Sequence, residues 1–111
     1  MAFNRFERKI LRELASEVYE AEARHALADL AASFVEWRRK KRLSSDLLAD
    51  IHSFHQYDSR KLWATYQSMD DAEVVARGVA FGFISEKKVP RQIAERLNLD
   101  VWRRISQERG E

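Results

Sequence analysis

The sequence predicts an all-α fold, and three observations carry that prediction. Gly and Pro are scarce, three and one in 111 residues, whereas an all-β sandwich or barrel needs a turn signal every ~8–12 residues. Apolar residues recur at three- and four-residue spacing over long stretches. Residues 4–42 contain neither Gly nor Pro and are rich in Ala, Leu, Glu and Arg, all good helix formers. The expected architecture is a five- to six-helix bundle in one domain, residues 1–111, with a long N-terminal helix (4–42) and a helical bundle over 45–109.

The long helix has an unusual pattern. Phe3, Phe6, Ile10, Leu14 and Val18 form one apolar stripe, with Lys9, Arg12, Ser16 and Glu20 opposite. Leu27, Leu30, Phe34 and Trp37 form a second stripe almost half a turn away, with Glu22, His25, Asp29, Ser33 and Glu36 opposite. Supercoil drift of ~20° per heptad cannot supply that change over residues 21–26. Either the chain bends there, or one straight helix buries opposite faces in its two halves. An unbroken helix over 4–42 would be about 58 Å long, against a radius of gyration near ~13 Å for a compact domain of this size. The second option therefore calls for a partner chain. The expected assembly is a homodimer, with Phe3, Phe6, Ile10 and Leu14 in the dimer contact.

The remaining elements follow in order. Ser44-Ser45-Asp46 reads as a helix start, because short polar side chains cap free backbone N–H groups. The next helix buries Leu47, Leu48, Ile51 and Phe54, with His55 inside that arc and His52 at its edge. Asp58-Ser59 either continues it or caps a new helix holding Leu62, Trp63 and Tyr66. Asp70 with Glu73 makes an acidic capping box. The segment that follows, through Ile84, is apolar nearly all round and reads as a central buried helix. Gly78 and Gly82 within it suggest close approach of a neighbouring helix. Pro90 suits a helix's first turn, Asn98-Leu99-Asp100 reads as a stop and a new cap, and Val101, Trp102 and Ile105 make a last amphipathic helix.

Composition narrows the chemistry. There is no Cys, hence no disulfide, thiolate nucleophile or zinc ribbon. No apolar run approaches ~20 residues, so no membrane partner is expected. The opening residues lack the apolar core of a signal peptide, and a cytoplasmic location is the expectation. The net charge of +2 is spread unevenly: +3 over residues 1–42, −4 over 43–86 and +3 over 87–111. That pattern suits self-association or internal pairing as well as nucleic acid.

Four constellations could carry function. Residues 92–100 resemble the first helix and turn of a helix-turn-helix, with Ala94 small at the crossing, Asn98 suited to a left-handed turn and Asp100 as the second helix's cap. Arg103, Arg104 and Gln107 would then face a DNA major groove, although Arg104 falls where an apolar residue is usual and Ile105 one place late. The run from Trp37 to Arg42 could neutralise phosphates, or its cations could simply complement a helix C-terminus. Glu22 and His25 have the Glu-x-x-His spacing of di-iron bundles, with Asp29 nearby, but a di-iron site needs two such motifs. His52, His55, Arg60 and Trp63 lie in a run rich in hydrogen-bonding aromatics and could form a binding surface, since Trp, Tyr and Arg concentrate at interface centres. The bland alternative for His55 is a satisfied core histidine. No catalytic residue, metal or cofactor is assigned. The expected function is a small non-enzymatic interaction or regulatory module acting through homodimerisation and protein binding. The alternatives are a DNA-binding regulator using residues 90–107 and a metal- or His-dependent helical enzyme.

Overall fold

The computed structural model describes residues 3–109, and every regular element among them is helical. In chain order these are α1 (Arg5–Arg38), α2 (Ser44–Ser53), a π-helical stretch (Phe54–Ser59), α3 (Arg60–Gln67), α4 (Asp71–Ala80), a 3-10 turn (Glu86–Lys88), α5 (Arg91–Ala94) and α6 (Leu99–Glu108). The chain separates into two compact units. One combines Met1–Ala21 with Met69–Glu111, and the other is Glu22–Ser68. Helix α1 contributes its first half to one and its second half to the other.

In the first unit, α1 starts with a reciprocal cap. The Glu7 N–H donates to Asn4 Oδ1 at 2.8 Å, and the Asn4 N–H donates to Glu7 Oε1 at 3.0 Å. The buried residues of this half are Glu7, Leu11, Leu14, Ala15 and Val18. The buried stripe is thus rotated from the predicted one. It takes in Glu7, Leu11 and Ala15, while Phe6 stays 72% exposed and Ile10 only half-buried. The cap and an ion pair from Arg96 to the other Glu7 oxygen turn the Glu7 side of the first turn inward. Against this face packs α4, whose capping box is complete: the Glu73 N–H donates to Asp70 Oδ1 at 2.8 Å and the Asp70 N–H to Glu73 Oε1 at 3.2 Å. Val74, Val75, Ala76, Gly78 and Val79 are buried. A Cβ on Gly78 would lie 2.4 Å and 2.7 Å from the two Val18 methyls, so the expected close approach is real at that position.

Gly82 has a different role. The predicted helix through Ile84 stops at Ala80, because Gly82 takes φ +83° and closes a Schellman motif. The Phe83 N–H donates to the Gly78 carbonyl at 2.8 Å and the Gly82 N–H to that of Val79 at 3.2 Å. Pro90, with ψ 139°, precedes α5 as its N-cap instead of occupying its first turn. Val89, Ile93, Leu97 and Leu99 complete the core with α4 and the first half of α1. Val18, Val75 and Ile93 are the largest fully buried side chains.

The second unit is a helical hairpin. The predicted second stripe of α1 is corrected here: Leu27, Phe34 and Trp37 are exposed, and the half-buried positions of this half are Glu22, Ala23, Ala26, Leu30 and Ser33, the last of which was expected on the opposite side. Helix α1 stops at Arg38, short of the expected 42, in another Schellman motif. Lys40 takes φ 59°, its N–H donates to the Trp37 carbonyl at 3.0 Å, and the Lys41 N–H donates to that of Glu36 at 2.9 Å. Arg42 then turns back as a two-pronged partner of Asp50, at 2.7 and 2.8 Å. Helix α2 does begin at Ser44, but Leu43 is its N-cap and no side chain caps it. The Ser44 hydroxyl is occupied otherwise, accepting the Trp37 indole N–H at 2.9 Å. At the far end of the seam the Tyr66 hydroxyl donates to Glu22 Oε1 at 2.6 Å.

Residues 44–67 run helically without a break, since the backbone stays right-handed at Ser53, Phe54, Ser59 and Arg60. The π-helical stretch explains how. Leu47 and Phe54 are seven apart and share a face, but Phe54 and Leu62 are eight apart. A π-turn absorbs about one extra residue and returns Leu62 and Tyr66 to the inward side.

Candidate functional site

Among the described residues, the buried apolar side chains divide sharply between the units. Twelve belong to the first and only Leu47 to the second. The large apolar side chains left exposed divide the other way. Phe6, Tyr19 and Val101 are in the first unit. Leu27, Phe34, Val35, Trp37, Leu43, Leu48, Ile51, Tyr57 and Trp63 are in the second. Scattered exposed apolar residues are ordinary on a soluble domain, whereas a contiguous set marks a binding surface.

Four of these nine, Leu27, Phe34, Leu48 and Trp63, share one flank of the hairpin. On α1, Leu27, Ala31 and Phe34 each follow by one position an inward residue, Ala26, Leu30 or Ser33. On the second rod, Leu48, His55 and Trp63 each follow an inward residue by one position, namely Leu47, Phe54 or Leu62. One position is about 100° of rotation in the chain direction. Because the two rods run antiparallel and each turns its inward residues toward the other, this equal rotation carries both sets to the same side of the hairpin. Trp63 and Leu48 are each 66% exposed there.

The hairpin's seam is held by polar contacts more than by apolar burial. Arg42 holds the Asp50 carboxyl below the ordinary carboxylate range; desolvation opposes this and the Ser33 hydroxyl reinforces it. In the first unit the Asn4 backbone N–H holds the Glu7 carboxyl low, desolvation again opposes, and Arg96 adds to the lowering. The Arg96 guanidinium also lies 4.6 Å from the centre of the Phe3 ring. A cleft of about 540 Å³ opens beside it, with Leu11, Leu97 and Trp102 as apolar lining and Arg12, Asp70 and Glu73 among its charged residues. Two of those acids are already committed to the α4 cap.

The sequence-derived sites fall as follows. Of the residues assigned to a dimer contact, Leu14 is used by the first unit's core, Phe3 and Ile10 are half-buried, and Phe6 is exposed. His52, His55, Arg60 and Trp63 are all exposed, so the core-histidine alternative for His55 is corrected: the π-turn places Phe54 inward and His55 outward. In residues 90–107, Asn98 does adopt the left-handed backbone, φ 55° and ψ 45°. It is itself the N-cap of α6, so Asp100 lies within the first turn and is not the cap. The helix before the turn, α5, is one turn long. Arg103 pairs with Glu86, while Arg104 and Gln107 are exposed. Leu99 and Ser106 give α6 its buried face, which leaves Arg104 outside the core. Glu22 is engaged by Tyr66, and among the described residues no three His, Asp or Glu side chains gather as a metal site. No helix among them is long and apolar enough to cross a membrane.

Sequence reasoning missed the Asn4–Glu7 cap, the inward Glu7 and the π-turn. The Asn-x-x-Glu spacing was a readable signal for the first; the eight-residue step between Phe54 and Leu62 was one for the last. Comparison with protein-family models, curated proteins and solved structures found no match.

Proposed function

We propose that this protein is a small non-enzymatic helical interaction module that works as a homodimer. The observation that carries the reading is the concentration of exposed apolar side chains on Glu22–Ser68, a unit that buries Leu47 alone. Helical layers reach stability by burying an apolar face against another element, and a hairpin supplies only one seam. Sedimentation equilibrium at micromolar concentration tests the reading. The expected species has twice the 13.1 kDa chain mass, and a clean single-chain species overturns it.

A second reading, a DNA-binding regulator using residues 90–107, draws on the left-handed Asn98 backbone and the exposed Arg104 and Gln107. It predicts duplex affinity that falls steeply with salt and weakens further in Arg104→Ala. Duplex binding unaffected by that change removes the assignment.

A further inference from the structure

We infer that the closed end of the Glu22–Ser68 hairpin, residues 38–43, is a peripheral contact site for an anionic lipid surface. The inference concerns one end of one unit and does not depend on the dimer reading above. Tyr66 meets Glu22 at the end where the chain enters and leaves the hairpin. Trp37 meets Ser44, and Arg42 meets Asp50, at the other. That closed end carries Arg38, Arg39, Lys40, Lys41 and Arg42 in succession. Arg42 is held by Asp50. The other four are exposed, and their side chains have no hydrogen bond or ion pair among the described residues. Glu36 and Asp46 are the further acids near Arg42, fewer than the free cations, so the end stays net positive.

Two features separate these cations from a role in closing the helix. Basic side chains near a helix C-terminus commonly satisfy its last carbonyls. Here the carbonyls of Val35, Glu36 and Trp37 accept the backbone N–H groups of Arg39, Lys41 and Lys40 instead. The second feature is Lys40 itself, which takes the left-handed backbone at φ 59°. Gly adopts that conformation without strain. A strained residue whose side chain makes no contact inside the protein points to a use for that side chain outside it.

Charge complementarity makes the partner anionic, and Leu43 selects a bilayer. Leu43 is 70% exposed and borders one open depression together with Trp37, Arg38 and Lys40. An aliphatic side chain projecting among cations combines the two contributions to interfacial binding, apolar insertion and attraction to anionic headgroups. A bilayer deforms around such a side chain, whereas a protein partner needs a pocket shaped for it. Nucleic acid suits the site less well. Single strands bind by stacking bases on aromatic rings, and the ring at this end, Trp37, is tied by its indole N–H to Ser44. Against phosphates alone, Leu43 stays in water. The contact needs no spanning segment, so it is compatible with the lack of a membrane-crossing helix among the described residues.

The experiment is co-sedimentation of the full chain with vesicles of phosphatidylcholine alone or with about one-third phosphatidylserine. The wild type should bind the anionic vesicles, release them as salt is raised, and leave the neutral ones unbound. Each cation near such a surface is worth about fivefold in affinity, so Arg39→Ala with Lys41→Ala should weaken binding by at least ~10-fold. Lys9→Ala with Lys87→Ala removes two exposed lysines of the other unit and should stay within about twofold of wild type. Leu43→Ser should weaken binding by ~10-fold. It places a favoured residue at the N-cap of α2, so circular dichroism should show its helix content kept. Failure of the wild type to bind anionic vesicles, or equal binding to neutral ones, would overturn the inference. An equal loss in the Lys9 and Lys87 pair would overturn it too, by tracing the binding to overall charge. Leu43→Ser binding as wild type does, with a single-stranded oligonucleotide held more tightly than vesicles at equal phosphate, would reassign the site to nucleic acid and likewise overturn it.

Discussion

In the unit made of Met1–Ala21 and Met69–Glu111, side chains from α1, α4, α5 and α6 close around Val18, Val75 and Ile93. In Glu22–Ser68, two helical rods share a seam and bury Leu47 alone. Both units are amphipathic and both are rich in large apolar residues, so hydrophobic content does not separate them. The number of helices converging does. The first unit draws its buried apolar side chains from α1, α4, α5, α6 and the segment around Val89. Each rod of a hairpin can be covered along one stripe only, and every apolar side chain beyond it stays in water. The amphipathic arc of the hairpin helices is wider than one neighbour can cover, which is why its surplus is left exposed.

The largest effect expected from this difference is at Ile93, which is 1% exposed. Ile93→Ala should cost about 2–5 kcal/mol, the range for emptying a packed core position. Tyr57→Ala, in the hairpin and 70% exposed, should stay within about 0.5 kcal/mol. Urea denaturation of the two variants gives the comparison directly. Equal losses would break it.

Next in size is Gly78→Ala. A new Cβ would press on the Val18 methyls, and Val18 has no exposed surface through which to yield. Overpacking of this kind costs about 1–3 kcal/mol. In a Val18→Ala background the extra methyl has room, so the penalty should shrink. A penalty unchanged by Val18→Ala would place the cost in the backbone instead.

The two Schellman motifs give a smaller and cleaner contrast. At Gly82 no atom stands within 4 Å of a would-be Cβ, so Gly82→Ala tests backbone strain alone and should cost about 1 kcal/mol. Lys40 makes the same turn at φ 59° with a side chain already bearing that strain. Lys40→Gly should therefore stabilise by about 0.5–1 kcal/mol, read as a raised thermal midpoint. Loss of stability on Lys40→Gly would mean that the lysine side chain, not the turn, holds the hairpin's bend.

The helical character of every element, the central burial of α4, its capping box and the left-handed Asn98 were all legible, because each depends on residues within a turn of one another. The hairpin's continuity was not. Asp58-Ser59 looks like a cap on any count of 3.6 residues per turn, and only tertiary alignment of Leu62 with Phe54 selects the π-turn. Glu7 was hidden for the same reason: an acid is read as solvent-facing until Arg96, 89 positions away, is seen beside it. Of the candidate surface, Trp63 and His55 were singled out from their residue types, but Leu48 was assigned inward. One seam cannot hold both Leu47 and Leu48, and the sequence does not state how many helices will come to cover them.

The smallest effects should come from the two held carboxylates, and their pH dependence has a definite sign. Glu7 and Asp50 both have folded-state values below their ordinary ones. Each therefore binds its proton more readily unfolded, so its stabilisation is complete above about pH 5 and is lost as pH falls through the folded value. Glu7→Gln and Asp50→Asn should each flatten part of the acid limb of a melting-temperature profile between about pH 6 and 3. The share carried by Asp50 should also fade in added salt, because its pair with Arg42 is 28% and 33% exposed, against 10% for Glu7. If Asp50→Asn flattened the limb more than Glu7→Gln in high salt, the hairpin's seam would be the better shielded of the two, and the contrast between a covered core and an open seam would have to be reversed at that site.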